Sequence, residues 1–232
     1  MHTGKGQVVE LILKDGRRQA RISCASDLIP APGQYLLAGD ASDSPLPVPL
    51  FSTESTPSGV AMAPWSHFIA CAPIPATWTP GTEITLRGPL GHGFALPDSA
   101  RRVALVAFED SPSRLRGLIA PALKQGAAVA LVCDSEENQL PDEVEAHPLS
   151  ALDDVLAWAD YVAFDVAREN LPRLRERLGD LNQMSAGKEA QALIHTPIPC
   201  GGIAACGVCA VTLKSGWRLA CKDGPVFDLR EI

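Results

Sequence analysis

CGGIAACGVCAVTLKSGWRLACKDGPVF, residues 200–227, holds four of the chain's seven cysteines. Cys200, Cys206, Cys209 and Cys221 follow the spacing C-x5-C-x2-C-x11-C. Two thiolates separated by two residues can bind one metal centre with little strain, and a third nearby thiolate suits a loop wrapped around it. Gly201, Gly202, Ala204, Ala205 and Gly207 carry little or no side chain. Backbone amides can therefore approach sulfur closely and offset the charge of a cluster held by four thiolates. Structural zinc sites usually pair two C-x2-4-C knuckles, and this stretch has one. Three cysteines on a loop with a fourth remote lie closer to the plant-type [2Fe–2S] spacing, C-x4-C-x2-C…C. Zinc on the same four cysteines, in a non-redox interaction subunit, is the alternative.

The rest of the chain limits what surrounds this segment. Its 232 residues, 46% hydrophobic and 20% charged, suit one large domain or two small ones with buried cores. A net charge of −7 without any Lys/Arg-rich run argues against a nucleic-acid partner, which needs clustered positive surface. The longest apolar runs, Val103–Phe108 and Ala127–Cys133, are too short to span a bilayer. The N-terminal MHTGKGQVVELILKDG lacks the apolar core of a secretory signal, so a cytoplasmic location is expected. Structural disulfides are rare in that compartment, where clustered cysteines more often bind metal or do redox chemistry.

Upstream, two patterns succeed each other. Gln7–Leu13 and Gln19–Ser23 read as strands around the turn Lys14-Asp15-Gly16-Arg17. Gln34–Leu37, His67–Ala72 and Glu83–Leu86 read as further strands, while Pro45–Pro49 reads as extended chain outside a central strand. Strands at this spacing suggest a small barrel or sandwich over residues 1–97. Beyond Pro97 the buried strands Arg102–Phe108, Ala127–Cys133 and Tyr161–Val166 alternate with helical patterns at Ser113–Lys124, Leu149–Trp158 and Leu171–Leu178. That alternation predicts a parallel α/β sheet over 98–188. The polar run Asp180–Glu189 reads as the linker into a small cluster domain, 189–232. The fold class expected is therefore α+β and multi-domain: N-terminal β-barrel, central parallel-sheet α/β domain, C-terminal [2Fe–2S] domain.

The cysteine segment resembles the cluster domain of the electron-transfer subunit of two-subunit dihydroorotate dehydrogenase. Cys206-Gly207-Val208-Cys209-Ala210-Val211 matches that family's loop, and Cys221-Lys222-Asp223-Gly224-Pro225-Val226-Phe227 matches its ending. One departure stands out: five residues rather than four separate Cys200 from Cys206, so the extra residue must bulge, and Gly201-Gly202 supplies the freedom. Gly88-Pro89-Leu90-Gly91-His92-Gly93-Phe94 looks like the family's inter-domain turn, and Pro32-Gly33-Gln34-Tyr35 like the start of a barrel strand. The resemblance implies a ferredoxin-reductase-like frame and a cytoplasmic oxidoreductase subunit, rather than a stand-alone enzyme. It also implies a dihydroorotate dehydrogenase catalytic subunit carrying flavin as the partner, in pyrimidine biosynthesis.

In that family the barrel binds FAD and the α/β domain accepts NADH. The matching flavin contacts are Phe51, Ser52, Gly88 and Gly91. Pro49, however, stands where the family's flavin arginine belongs, and Cys71–Thr77 replaces its glycine-rich phosphate element. Both changes weaken the flavin site without removing FAD from the expected cofactors. The first α/β strand is followed by Glu109-Asp110-Ser111-Pro112 instead of a glycine turn, and the C-G-P element is replaced by Asp165-Val166-Ala167. Carboxylates repel a dianion and no glycine opens the turn, so NAD is not expected. A complete FAD-containing, NADH-dependent reductase is a further alternative. His92 reads as a solvent-facing turn residue and His195 as a residue outside the ligand set. Cys24, Cys71 and Cys133 read as buried hydrophobes. Arg168, Arg173, Arg175 and Arg177 read as a solvated helix face, and Trp217 as a cluster shield, a partner contact or core.

Overall fold

Period-two alternation of apolar side chains puts one face of each early strand inward and lets the sheet close on itself. In the computed structural model, which describes residues 2–14, 16–40, 46–55, 65–71, 73–108, 111–135, 140–179 and 188–232, β1 (His2–Lys14), β2 (Arg17–Ala25), β3 (Tyr35–Gly39), β4 (Val48–Ser55), β5 (Trp65–Cys71) and β6 (Glu83–Leu90) form a closed barrel. Its order is β1-β2-β5-β4-β3-β6. Val8, Ile22, Leu36, Leu50, Phe68 and Leu86 fill the inside. Trp78 seals the same core and donates through Nε1 to Asp40 Oδ2 at 2.8 Å.

The second unit is a six-stranded sheet. It comprises β7 (Arg102–Phe108), α1 (Ile119–Lys124), β8 (Ala128–Val132), β9 (Val144–His147), α2 (Leu152–Trp158), β10 (Tyr161–Ala167), α3 (Leu171–Leu178) and β11 (Glu189–His195). The five strands β9-β8-β7-β10-β11 are parallel. Cover on both faces explains why Val103–Phe108 and Tyr161–Val166 are buried without interruption. After β11 come the hairpin β12 (Ala210–Leu213) and β13 (Gly216–Leu219), then the short helix α4 (Ala220–Asp223), then β14 (Val226–Asp228), which returns antiparallel to β11. Among the described residues no helix is long and apolar enough to cross a membrane.

Several local expectations change. Pro49 lies inside β4, a strand with neighbours on both sides, contrary to the reading of Pro45–Pro49. Pro49 there lies opposite Leu37 of β3. The helix expected over Ser113–Lys124 is two 3-10 turns, at 112–114 and 116–118, followed by α1. Gly117 packs there against Pro32, where a Cβ would stand 3.3 Å from Pro32 Cγ. β9 had no strand signal, being four residues with a single buried valine. Asp15 in the first hairpin, Pro45, Ala72, the Glu109–Asp110 pair and residues 180–187 of the linker lie outside the described residues.

β11 and β14 fall within 189–232 in sequence, yet both are strands of the central sheet. The cysteine segment shares one hydrophobic core with them. Cys209, Val211, Leu213, Ala220 and Cys221 pack with Val162, Phe164, Leu193 and Phe227, and with Tyr35 and Phe51 of the barrel.

Candidate metal centre

Between β11 and β12 the chain forms a loop dominated by left-handed backbone. Gly201, Gly202 and Gly207 have φ of 66°, 71° and 70°, and Ala204 joins them at 60°. A run of such residues turns successive amides toward one concave side, an arrangement that binds anions. At Gly202 glycine is also required by contact, since a Cβ would stand 3.1 Å from the Tyr35 hydroxyl.

The amides point at sulfur. Those of Ala205, Cys206 and Ile203 hydrogen-bond the Cys200 sulfur. The Val208 N–H donates to Cys206 Sγ at 3.5 Å, and the Ala204 amide reaches Cys221. The Ala205 amide above all, with help from the Cys206 thiol and the other amides, pulls the Cys200 thiol down to about 6. Burial, followed by the neighbouring Cys209 sulfur, pushes Cys221 up to about 12. Here a cationic metal would reverse the balance, because a coordinated thiol is deprotonated.

The four sulfurs come as two pairs. Cys200 and Cys206 are within hydrogen-bonding reach of each other, as are Cys209 and Cys221, and Cys200 lies within electrostatic range of Cys221. Among the described residues no three or more His, Cys, Asp or Glu side chains gather around a single point suited to one ion. Cys206 is exposed and Cys200 half-buried, whereas Cys209 and Cys221 face the core. The donor set and its amide lining fit a cluster with two metal positions.

Three contacts hold this segment to the frame. The Tyr35 hydroxyl, its ionisation suppressed by burial and then by the Cys221, Cys209 and Cys200 sulfurs, donates to the Cys221 carbonyl at 3.1 Å. Arg168 donates to Val208 O at 2.5 Å, and Arg175 to Thr212 O at 2.6 Å and Ile232 O at 3.0 Å. These two arginines therefore anchor the backbone around the third cysteine and the C-terminus instead of forming a solvated face. Arg177 pairs with Asp153 at 2.8 Å. Sequence patterning could not find the anchors, because their acceptors are carbonyls 37–57 residues away.

The third contact joins two sequence motifs. His92 donates its N–H to Gly224 O at 2.6 Å, its Nδ1 lies 3.1 Å from Asp223 O, and it bridges to Pro225. His92 is exposed, but the turn that carries it is docked. Gly91 has φ of 76°, and a Cβ there would stand 2.5 Å from Pro225 Cδ and 2.8 Å from Gly224 O. A Cβ at Gly88 would meet Leu36 Cδ2 at 2.6 Å. Gly91 is thus required by the backbone of Gly224, and Gly88 by its φ of 153° and its tight neighbours. Gly91→Ala is expected to destabilise the protein by about 2–4 kcal/mol through left-handed strain and overlap. Thermal unfolding measures it; a melting temperature equal to that of the parent would remove this account of the turn.

The remaining predicted residues scatter. Phe51 lines a cavity of about 600 Å³ between β4 and the Pro197–Pro199 segment, with His195 in the same wall. Ser52 is buried in the barrel wall. Cys24, Cys71 and Cys133 are buried, and burial followed by Asp27 pushes Cys24 up to about 11. Trp217 is 66% exposed and so is not core; Ile203 and Val208 are exposed on the same segment. Where a dinucleotide would need open space, Arg114 and Asp165 meet. The strand order reverses between β7 and β10, the crevice at which such sheets bind ligands. Asp165, wholly buried on β10, pairs there with Arg114 Nε at 2.8 Å.

Residues 198–232 match the iron–sulfur cluster binding domain of dihydroorotate dehydrogenase B. The whole chain superposes on the structure described as "Insights into flavin-based electron bifurcation via the NADH-dependent reduced ferredoxin-NADP oxidoreductase structure". There the TM-score is 0.71 at 16% identity, over 97% of this chain and 88% of that one. It is also similar to an Amycolatopsis cytochrome P450 reductase, with a TM-score of 0.60 at 13% identity over 84% of this chain and 68% of that one. Against the ferredoxin reductase in carbazole 1,9a-dioxygenase the TM-score is 0.58 at 16% identity, over 77% of this chain and 65% of that one. At these identities the likeness establishes the fold. A ferredoxin-reductase-like frame carrying an iron–sulfur binding domain supports an electron-transfer role.

Proposed function

We propose that Cys200, Cys206, Cys209 and Cys221 hold one [2Fe–2S] cluster and that the chain relays electrons to or from a flavoprotein subunit of the dihydroorotate dehydrogenase type. The observation that carries this reading is the pairing of the thiols, Cys200 with Cys206 and Cys209 with Cys221. In a [2Fe–2S] centre each iron takes two of the four cysteines. One tetrahedral zinc would instead draw all four sulfurs around a single point.

When bound, the cluster accepts and releases single electrons. The chain's own residues set the conditions. Amides of Ile203, Ala205 and Cys206 stabilise thiolate at Cys200, and the Tyr35 hydroxyl fixes the backbone at Cys221. Arg168 and Arg175 clamp the hairpin side. Cys206 lies at the surface, and Ile203, Val208 and Trp217 of the same segment are exposed apolar side chains, which suits close approach of a redox partner. The Arg114–Asp165 pair and the glycine-free turn favour a donor other than a nicotinamide bound to this chain.

Anaerobically prepared protein is expected to be brown, with two irons and two acid-labile sulfides per chain, and to bleach with dithionite. Colourless protein carrying zinc would overturn the assignment. Co-purification with a flavin-containing subunit tests the partner, and its failure leaves the metal result standing.

A further inference from the structure

The hairpin β12–β13 has two unlike edges. Ala210 faces Leu219 across it, Val211 faces Arg218, Thr212 faces Trp217 and Leu213 faces Gly216. The Ala220 N–H donates to Cys209 O at 3.0 Å. Alternation along an antiparallel ladder then makes Val211–Arg218 and Leu213–Gly216 the next bonded pairs. Backbone groups of Ala210, Thr212, Trp217 and Leu219 therefore point outward. On β12 the outward carbonyls are taken, Ala210 O by Arg168 and Thr212 O by Arg175. On β13 the Leu219 N–H donates to Asp223 Oδ2 at 2.9 Å. The Trp217 N–H meets no acceptor among the described residues, and its carbonyl has only the neighbouring Arg218 at 3.4 Å. A strand edge left open in this way is a template for another strand.

A notch of about 480 Å³ lies along that edge, between β13 and α4, with Trp217, Arg218, Lys222 and Asp223 in its lining. Trp217 is 66% exposed. Arg218 and Lys222 are exposed too, and Lys214 adds a cation at the hairpin turn. Asp223 is the one carboxylate among the described lining residues, and the Leu219 N–H already holds it. The whole chain carries −7, so this cationic spot runs against the general charge.

We infer that the outer edge of β13 binds an extended acidic segment of a partner protein. The segment adds a strand beside Trp217 and sets its carboxylates against Arg218 and Lys222. Main-chain bonds and the indole face supply affinity, and charge selects the partner. Lys222 follows the thiol Cys221 directly, so the bound segment lies beside the metal centre. The inference deepens the electron-transfer reading and rests on it only for the partner's identity.

Isothermal titration calorimetry of the full chain, metal centre loaded, against octapeptides of alternating Glu–Val and Lys–Val tests it. The Glu–Val peptide is expected to bind at least about tenfold more tightly than Lys–Val. Raising salt from about 0.05 M to about 0.5 M is expected to weaken Glu–Val binding roughly threefold to tenfold. Arg218→Glu with Lys222→Glu is expected to weaken it at least about tenfold. Trp217→Pro removes the outward N–H but no bond of the hairpin ladder, and is expected to weaken binding more than Trp217→Ala does. Iron content and thermal unfolding equal to the parent's place these losses at the edge. No Glu–Val binding, equal binding of both peptides, or binding that survives the double charge reversal would overturn the proposal; the peptide and salt comparisons on the parent decide it even if a variant fails to fold. Dimerisation of the parent that Lys222→Glu abolishes would assign the edge to a second copy and overturn it as well. Metal analysis of the same sample reads the cluster, so the two readings fail separately.

Discussion

Cys206→Ser is expected to abolish assembly of the iron–sulfur centre while leaving the frame folded. Loss of an outer-shell partner typically costs roughly 10–100-fold in metal affinity, and loss of a thiolate ligand should exceed that. The choice of cysteine matters. Cys206 is exposed, so the packing cost of the change is small, whereas Cys209 and Cys221 are 1% and 5% exposed and belong to the shared core. Iron and sulfide analysis with visible absorption reads the metal; thermal unfolding of the metal-free proteins reads the frame. Cys24→Ser serves as the control, because its thiol lies inside the barrel and is held protonated by burial. Full iron and sulfide content in Cys206→Ser would refute the ligand assignment.

Asp165→Ala is expected to be the most damaging single change in the central sheet. Asp165 has no solvent exposure, and its partner Arg114 is 11% exposed. Removing the carboxylate takes from a largely buried guanidinium the ion pair with Asp165, a loss of about 3–5 kcal/mol. For a chain of this size the melting temperature should fall by about 6–20 °C. Replacing both partners by apolar residues, Arg114→Met with Asp165→Leu, should recover most of that loss, since the desolvation cost disappears together with the attraction. A melting temperature for Asp165→Ala equal to that of the parent would show that the pair carries no such weight. The pair also explains a sequence feature. Asp165 replaces a small-residue element at the end of β10, and its carboxylate requires the cation that Arg114 brings from the turn after β7.

Legibility from sequence differed by element. β7 and α3 have the bounds that apolar continuity and helical spacing predicted, because each is dictated by local pattern: a strand covered on both faces, and a helix ended by Gly179. The stretch 112–124 misled, because its helical periodicity is real but Pro112 and the Gly117–Pro32 contact divide it into short turns. Arg168 and Arg175 misled for the opposite reason. A charged side chain on a helix reads as solvated until the chain's end folds back and offers it carbonyl oxygens. Gly88 and Gly91, expected as flavin contacts, are required by neighbours that approach from the barrel and the C-terminal segment.

By itself, the sequence determined the order of a barrel, an α/β sheet and a cysteine segment, and it singled out four thiols with a cluster-like spacing. Those properties depend on residue type and separation along the chain, which a linear string records in full. Tertiary structure alone decided that the thiols pair two by two and that the GPLGHGF turn docks on the DGPVF ending. It alone closed the switch-point crevice with Arg114 and Asp165, and it left a proline-walled slot beside Phe51. Apart from Cys200 and Cys206, which are close in sequence, each of those joins groups more than ten residues apart, where burial and backbone approach, rather than local preference, set the outcome.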